Sequence, residues 1–123
     1  MMGKKILIIE DEAELVNLIE LRLKAANFDV IAAYDGEEGL KKAQGDKPDL
    51  ILLDIIMPKI DGLVLCRRLK DDPETSKIPV IIVTASGGKN LQQESRDAGA
   101  DDLVIKPFEA EDLLSKINSL LKV

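Results

Sequence analysis

Three short runs built only of Ile, Leu and Val constrain this chain more than any other feature: ILII at 6–9, LILL at 50–53 and VIIV at 80–83. Each is too short for a buried helix. Each is apolar at every position rather than at alternate ones, as strands covered on both faces are. Two weaker runs, DVIAA at 29–33 and LVI at 103–105, share the rhythm, with helix-like stretches between. Strands are therefore expected at 4–10, 29–33, 50–54, 80–84 and 103–105, and helices at 12–26, 37–44, 62–70, 89–98 and 110–121. Strict alternation predicts an α/β fold with a doubly wound parallel sheet. The three aliphatic runs belong at its centre and the smaller second and shorter fifth at its edges. Of the two common doubly wound orders, only the flavodoxin-like 2-1-3-4-5, with five strands and five helices, meets that condition.

Local signals agree. Asp35 stands three residues before Glu38, the spacing of a capping box. Leu113, Leu114, Ile117, Leu120 and Leu121 form a stripe that suits burial of the last helix against the sheet. Pro73 is expected to end the third helix. The fourth is different: between residues 89 and 98 only Leu91 and Ala98 are apolar, and Gly87-Gly88 precedes it. Such a helix should dock weakly.

Size and composition narrow the function. The 123 residues suit one domain spanning 1–123, and 46% hydrophobic with 33% charged content marks a globular chain. Its longest uninterrupted apolar run is five residues, at 30–34, against the roughly 20 that span a bilayer. No secretory apolar region follows Met1-Met2-Gly3-Lys4-Lys5, so a cytoplasmic location without membrane contact is expected. The net charge of −6 opposes a phosphate backbone, so no nucleic-acid binding by this chain is expected. Cys66, alone within LVLC, reads as a core residue. Histidine is absent, which excludes Ser-His-Asp and Cys-His catalysis and imidazole-ligated zinc.

The polar residues that close the strand runs carry the chemistry. Glu10 and Asp11 follow the first run, Asp54 the third, Thr84 ends the fourth, and Lys106 follows the fifth. The carboxyl ends of strands are where open α/β sheets bind ligands, and this order sets strands one and three side by side. Three carboxylates ~5 Å apart repel by roughly 3 kcal/mol per pair at an effective dielectric of about 20. Lys106 offsets one charge, and a divalent cation would cancel the remainder. Hard oxygen donors without His or Cys favour Mg²⁺. A carboxylate beside Mg²⁺ can attack phosphorus. The cation, the Lys106 ammonium, and the Thr84 hydroxyl with a neighbouring backbone N–H would then cover the equatorial oxygens. The plainer alternative, solvated acids at strand ends, leaves the lysine and threonine at the same pole unexplained.

In combination these motifs resemble a known family. Glu10-Asp11-Glu12, LLDIIMPKIDG at 52–62, VTA at 83–85 and AGADDLVIKPF at 98–108 are similar to bacterial two-component response-regulator receiver domains of the chemotaxis and sporulation-regulator type. The resemblance implies that Asp54 is the phosphoacceptor for a histidine kinase or histidine phosphotransfer protein. It implies Mg²⁺ held by Asp11, Asp54 and the backbone carbonyl of Ile56, with Glu10 acting through water. Thr84, Ala85 and Lys106 would contact the phosphate or act in the switch, and the peptide before Pro107 would be cis. The face of the fourth helix, fifth strand and fifth helix would meet a downstream protein. Met57-Pro58 and Asp61-Gly62 would shape the loop beyond the acceptor.

Three departures stand out. Leu103 occupies the position of the family's switch aromatic, Glu10 stands where many members have Asp, and Ile56 offers no polar side chain to an attacking water. The rivals are a Mg²⁺-dependent aspartyl-phosphate phosphohydrolase and a phosphorylation-independent scaffold of receiver shape. The first lacks its general acid, because Ile56 stands where the second acid of D-x-D belongs. The second would not need the acid pair, acceptor and lysine that are all present. Neither GxGxxG nor a Walker A sequence supports a dinucleotide or nucleotide site.

Overall fold

A computed structural model describes residues 3–56, 61–85 and 90–122. Along the chain run β1 (Lys5–Ile9), α1 (Ala13–Ala25), β2 (Asp29–Ala33), α2 (Gly36–Asp46) and β3 (Leu50–Leu53). They are followed by α3 (Gly62–Asp71), β4 (Val80–Thr84), α4 (Leu91–Asp97), β5 (Asp102–Ile105) and α5 (Ala110–Leu121). The five strands pair in parallel in the order β2-β1-β3-β4-β5. The sheet has the flavodoxin-like order that the aliphatic runs dictate.

Because β1, β3 and β4 are apolar on both sides, the sheet divides the core in two. One cluster joins Ile6, Ile8, Leu50 and Leu52 to Val16, Ile19 and Leu23 of α1 and Leu113 and Ile117 of α5. The other joins Leu7, Ile9, Ile51 and Leu53 to Ala43 of α2 and Leu65, Cys66 and Leu69 of α3. Cys66 is fully buried, and that burial first of all pushes its thiol up to about 11. It is a packing residue.

Both ends of α1, α2 and α4 and the end of α3 depart from the expected bounds by one or two residues, while α5 keeps both. α1 begins at Ala13 rather than at residue 12, because Glu12 stays extended and turns its amide to the Glu10 carboxylate. α2 runs past the expected end at residue 44, through Gly45, and is capped by Lys47 in the left-handed region (φ 47°). Asp35 accepts from the Glu38 amide at 2.8 Å, but Glu38 reaches back to the Tyr34 amide, one residue before the usual partner. α3 ends at Asp71, before Pro73. The expected start of the fourth helix at residue 89, Gly87-Gly88 and Met57-Pro58 lie outside the described residues.

At the pole opposite the strand ends, Lys70 ties the α4–β5 connection down. Its ammonium donates to the carbonyls of Ile78 at 2.7 Å and Ser76 at 3.4 Å and to Asp101 at 3.0 Å. Asp101 also accepts from the Val80 amide, while its own amide donates to Val80, both at 2.8 Å.

Candidate functional site

The register of the central strands sets Asp54 beside the end of β1. Ile9 pairs with Leu53, and the Asp54 amide donates to the Ile9 carbonyl at 3.0 Å. Carboxylate oxygens of Glu10, Asp11 and Asp54 all lie within 4.8 Å of one another. Glu10 and Asp54 are buried and Asp11 is exposed, so the cluster opens to solvent on the Asp11 side.

Lys106 crosses to this cluster from the far edge. Its Nζ donates to Glu10 Oε1 at 2.9 Å and to Asp54 Oδ2 at 3.5 Å. Asp54 Oδ1 accepts from the Ile56 amide at 3.0 Å, and Glu10 Oε2 from the Glu12 amide at 3.2 Å. Burial pushes the Glu10 carboxyl up to about 7. Lys106 and the Glu12 amide oppose that shift, and the Asp54 side chain adds to it. For Lys106, burial alone would lower the pKa, but the Glu10 hydrogen bond and the charges of Asp54, Glu10 and Glu12 hold it above the ordinary value. The ammonium therefore stays charged.

Thr84 is fully buried at the end of β4 and pairs in register with Ile105. Its carbonyl accepts from the Lys106 amide at 2.8 Å, which fixes the two residues as neighbours across the β4–β5 ladder. Ala85 follows, exposed. The Lys106–Pro107 peptide is cis. Leu103 is half-buried on β5.

The turn beyond Asp54 is closed by contacts that spacing alone does not disclose. Ile56 and Asp61 form an antiparallel bridge, and the Gly62 amide donates to the Ile55 carbonyl at 3.2 Å. A Cβ on Gly62 would sit 2.1 Å from Ile55 Cα, so only glycine fits this approach. Asp61 caps α3 by accepting from the Leu63 amide at 2.8 Å. Ile56 is 56% exposed. Glu12 joins the cluster in a way that its side chain does not disclose, through its backbone amide on Glu10.

The donor set fits a hard divalent cation. It offers carboxylate oxygens from three residues, converging from β1 and β3, in a chain without histidine. The family model described as the response regulator receiver domain matches residues 6–118. The chain belongs to that family. Response regulator ArlR of Staphylococcus saprophyticus is 45% identical over 118 residues, covering 96% of this chain and 52% of that protein. The DNA-binding dual master transcriptional regulator RpaA of Synechocystis is 41% identical over 118 residues, covering 96% and 49%. This receiver thus spans about half the length of such relatives. Its fold also matches the receiver domain of sensor histidine kinase PA1611 from Pseudomonas aeruginosa, solved with a magnesium ion in its active-site cleft. There the TM-score is 0.90, with 26% identity covering 98% of this chain and 99% of that one.

Phosphorylation of an aspartate with Mg²⁺ is the general property of receiver domains, which act as phosphoacceptors in response regulators working with histidine kinases. The expectation of no nucleic-acid binding by this chain is not borne out by the relatives, since RpaA is named as DNA-binding. Among the described residues no helix is long and apolar enough to cross a membrane.

Proposed function

We propose that Asp54 accepts a phosphoryl group from a phosphohistidine on a sensor kinase or phosphotransfer protein in the cytoplasm, residues 1–123 acting as one receiver. The observation that carries this reading is the convergence of Glu10, Asp11 and Asp54 within 4.8 Å, with the Lys106 ammonium 3.5 Å from Asp54 Oδ2. Asp11, Asp54 and the Ile56 carbonyl would hold Mg²⁺, with Glu10 acting through water. Bound there, the cation supplies charge neutralisation for the transferring phosphoryl oxygens.

The Ile56 amide engages Oδ1 of Asp54 at 3.0 Å, and Oδ2, held by the longer 3.5 Å contact to Lys106, is the attacking oxygen. As the Oδ2–phosphorus bond forms, the phosphorus–nitrogen bond to the donor imidazole breaks, and its electron pair stays on that nitrogen. Lys106 balances the charge gathering on one phosphoryl oxygen, and the Thr84 hydroxyl with the Ala85 amide takes another. The domain assists its own modification and the later hydrolysis but turns over no small substrate. Movement of Thr84 toward the phosphate would shift the population of α4 and β5, and the α4–β5–α5 face would meet the downstream target. With Leu103 in place of an aromatic, the shift proceeds without a swinging ring.

Transfer from a panel of radiolabelled histidine kinases tests the reading. Label should appear on the intact protein in the presence of Mg²⁺ and vanish in Asp54→Ala and with EDTA. Steady turnover of an aryl phosphate would favour the phosphohydrolase instead. Label retained by Asp54→Ala would overturn the assignment.

A further inference from the structure

A cavity of about 330 Å³ opens between α1 and α5, on the face of the sheet that those two helices cover. Leu15 and Leu18 of α1, Phe108, and Ala110 and Leu114 of α5 line it, together with Arg22. The volume falls within the ~300–1,000 Å³ of small-molecule sites. Leu18 is 55% exposed, and Leu15, Phe108 and Leu114 are half-buried. The two helices thus leave an apolar wall that neither covers.

Arg22 is the second observation. The chain carries 23 acidic residues against 17 basic ones, and on the same helix Lys24 pairs with Glu20 at 2.7 Å. Arg22 nevertheless has no ion pair among the described residues. Its neighbours three and four places away are Leu18, Ile19, Ala25 and Ala26, so no acid reaches it along the helix. Among the described residues no acid lines the cavity either, and its other cation, Lys106, is already held by Glu10 and Asp54. A place in the last turn of α1 suits a cation through the helix dipole, but that leaves the open apolar wall beside it unexplained.

We propose that this cavity binds a free medium-chain fatty acid, its alkyl chain lying between α1 and α5 and its carboxylate on the Arg22 guanidinium. From Leu15 to Arg22 the helix rises roughly 10 Å at ~1.5 Å per residue, close to the length of an extended octanoate. The walls supply apolar burial and the guanidinium supplies a charge-assisted, bidentate contact to a planar carboxylate. The proposal is independent of the phosphoacceptor reading.

The test is a titration of the full chain with octanoate, followed by amide NMR. The amides of Leu15, Leu18, Arg22, Phe108 and Leu114 should move together and saturate as one site. Affinity should rise about fourfold for each CH₂ added between hexanoate and octanoate. Arg22→Gln should weaken octanoate about tenfold and leave the neutral 1-octanol within about twofold. Ala110→Leu, which fills the cavity, should abolish both, with circular dichroism confirming that each variant is folded. Shifts that do not saturate, or an Arg22→Gln variant that binds octanoate as well as the parent, overturn the proposal. Binding to phosphatidylglycerol vesicles by a protein that ignores octanoate would make this face a lipid-surface contact and overturn it too. So would amides that stay still with octanoate yet move with rising protein concentration, or with the histidine-bearing domain of a kinase, since the cavity would then belong to a protein interface.

Discussion

The two halves of the site rest on unlike foundations. Glu10, Asp11 and Asp54 follow β1 and β3, whose residues from Ile6 to Ile9 and from Leu50 to Leu53 are at most 2% exposed. Thr84 and Lys106 belong to the β4–β5 side, where the edge strand leaves Ile105 47% exposed and Leu103 half-buried. Between those strands α4 buries only Leu91 and Ser95 within its seven residues, and Ser95 Oγ has no hydrogen-bond partner among the described residues. α5, by contrast, sets Leu113 and Ile117 into the core from its twelve residues. The acidic half is thus held by packing, while the half that would sense the phosphate can shift at little cost.

The harshest way to break this contrast is Gly62→Ala, which strikes the packed half. With backbone 2.1 Å from the new methyl group, urea unfolding should show a loss of about 3 kcal/mol or more. A loss under about 1 kcal/mol would show that the turn beyond Asp54 yields as readily as α4.

Acidity sharpens the same contrast. Glu10 ionises in the folded protein near 7 against an ordinary 4.5. A raised folded value means that its stabilising contribution is complete below the unfolded pKa and lost as pH rises through the folded one. Metal-free protein should therefore lose stability between about pH 4.5 and 7, on the order of 3 kcal/mol from this group. Urea melts in EDTA should show this slope, Glu10→Gln should flatten it, and added Mg²⁺ should reduce it.

On the loose side, Ser95→Ala removes a buried hydroxyl that has no partner. It should raise stability by about 1 kcal/mol in the same melts. Destabilisation would mean that α4 is better seated than its buried residues indicate. The smallest effect concerns hydrolysis rather than folding. Ile56 presents an exposed apolar side chain beside Asp54, so Ile56→Asn should shorten the phosphoryl lifetime a few-fold, about 1 kcal/mol of barrier. Decay of labelled protein measures it, and an unchanged lifetime would remove Ile56 from any account of the water.

The strands were legible because their signal is local: an aliphatic run bounded by a polar residue marks both its extent and its sheet position. β2 and β4 coincide with the expected spans, β3 and β5 differ by one residue at one end, and β1 is shorter by one residue at each end. The acids at strand ends were legible for the same reason. What spacing could not convey depends on distant chain segments meeting. The Lys106–Glu10 bond joins residues 96 apart, Gly62 is required by the backbone of Ile55, and Lys70 reaches Asp101 across 31 residues. Glu12 stands one residue outside α1 as its extended N-cap, and its amide, which a helix start leaves without an intrahelical acceptor, is taken by the Glu10 carboxylate. Ser95 was unreadable, since the sequence of α4 offers too few apolar residues to define its inner face.

The outer strand is fastened unequally at its two ends. Where it begins, Asp101 is latched to Val80 by two hydrogen bonds and to Lys70 by a third. Where it finishes, the rung from Lys106 to the Thr84 carbonyl is the first bond to follow any shift of that threonine. A strip clamped at one end and pulled at the other behaves as a lever. A small tug beside Asp54 would therefore sweep the α5-facing tip of β5 farthest and leave its root in place.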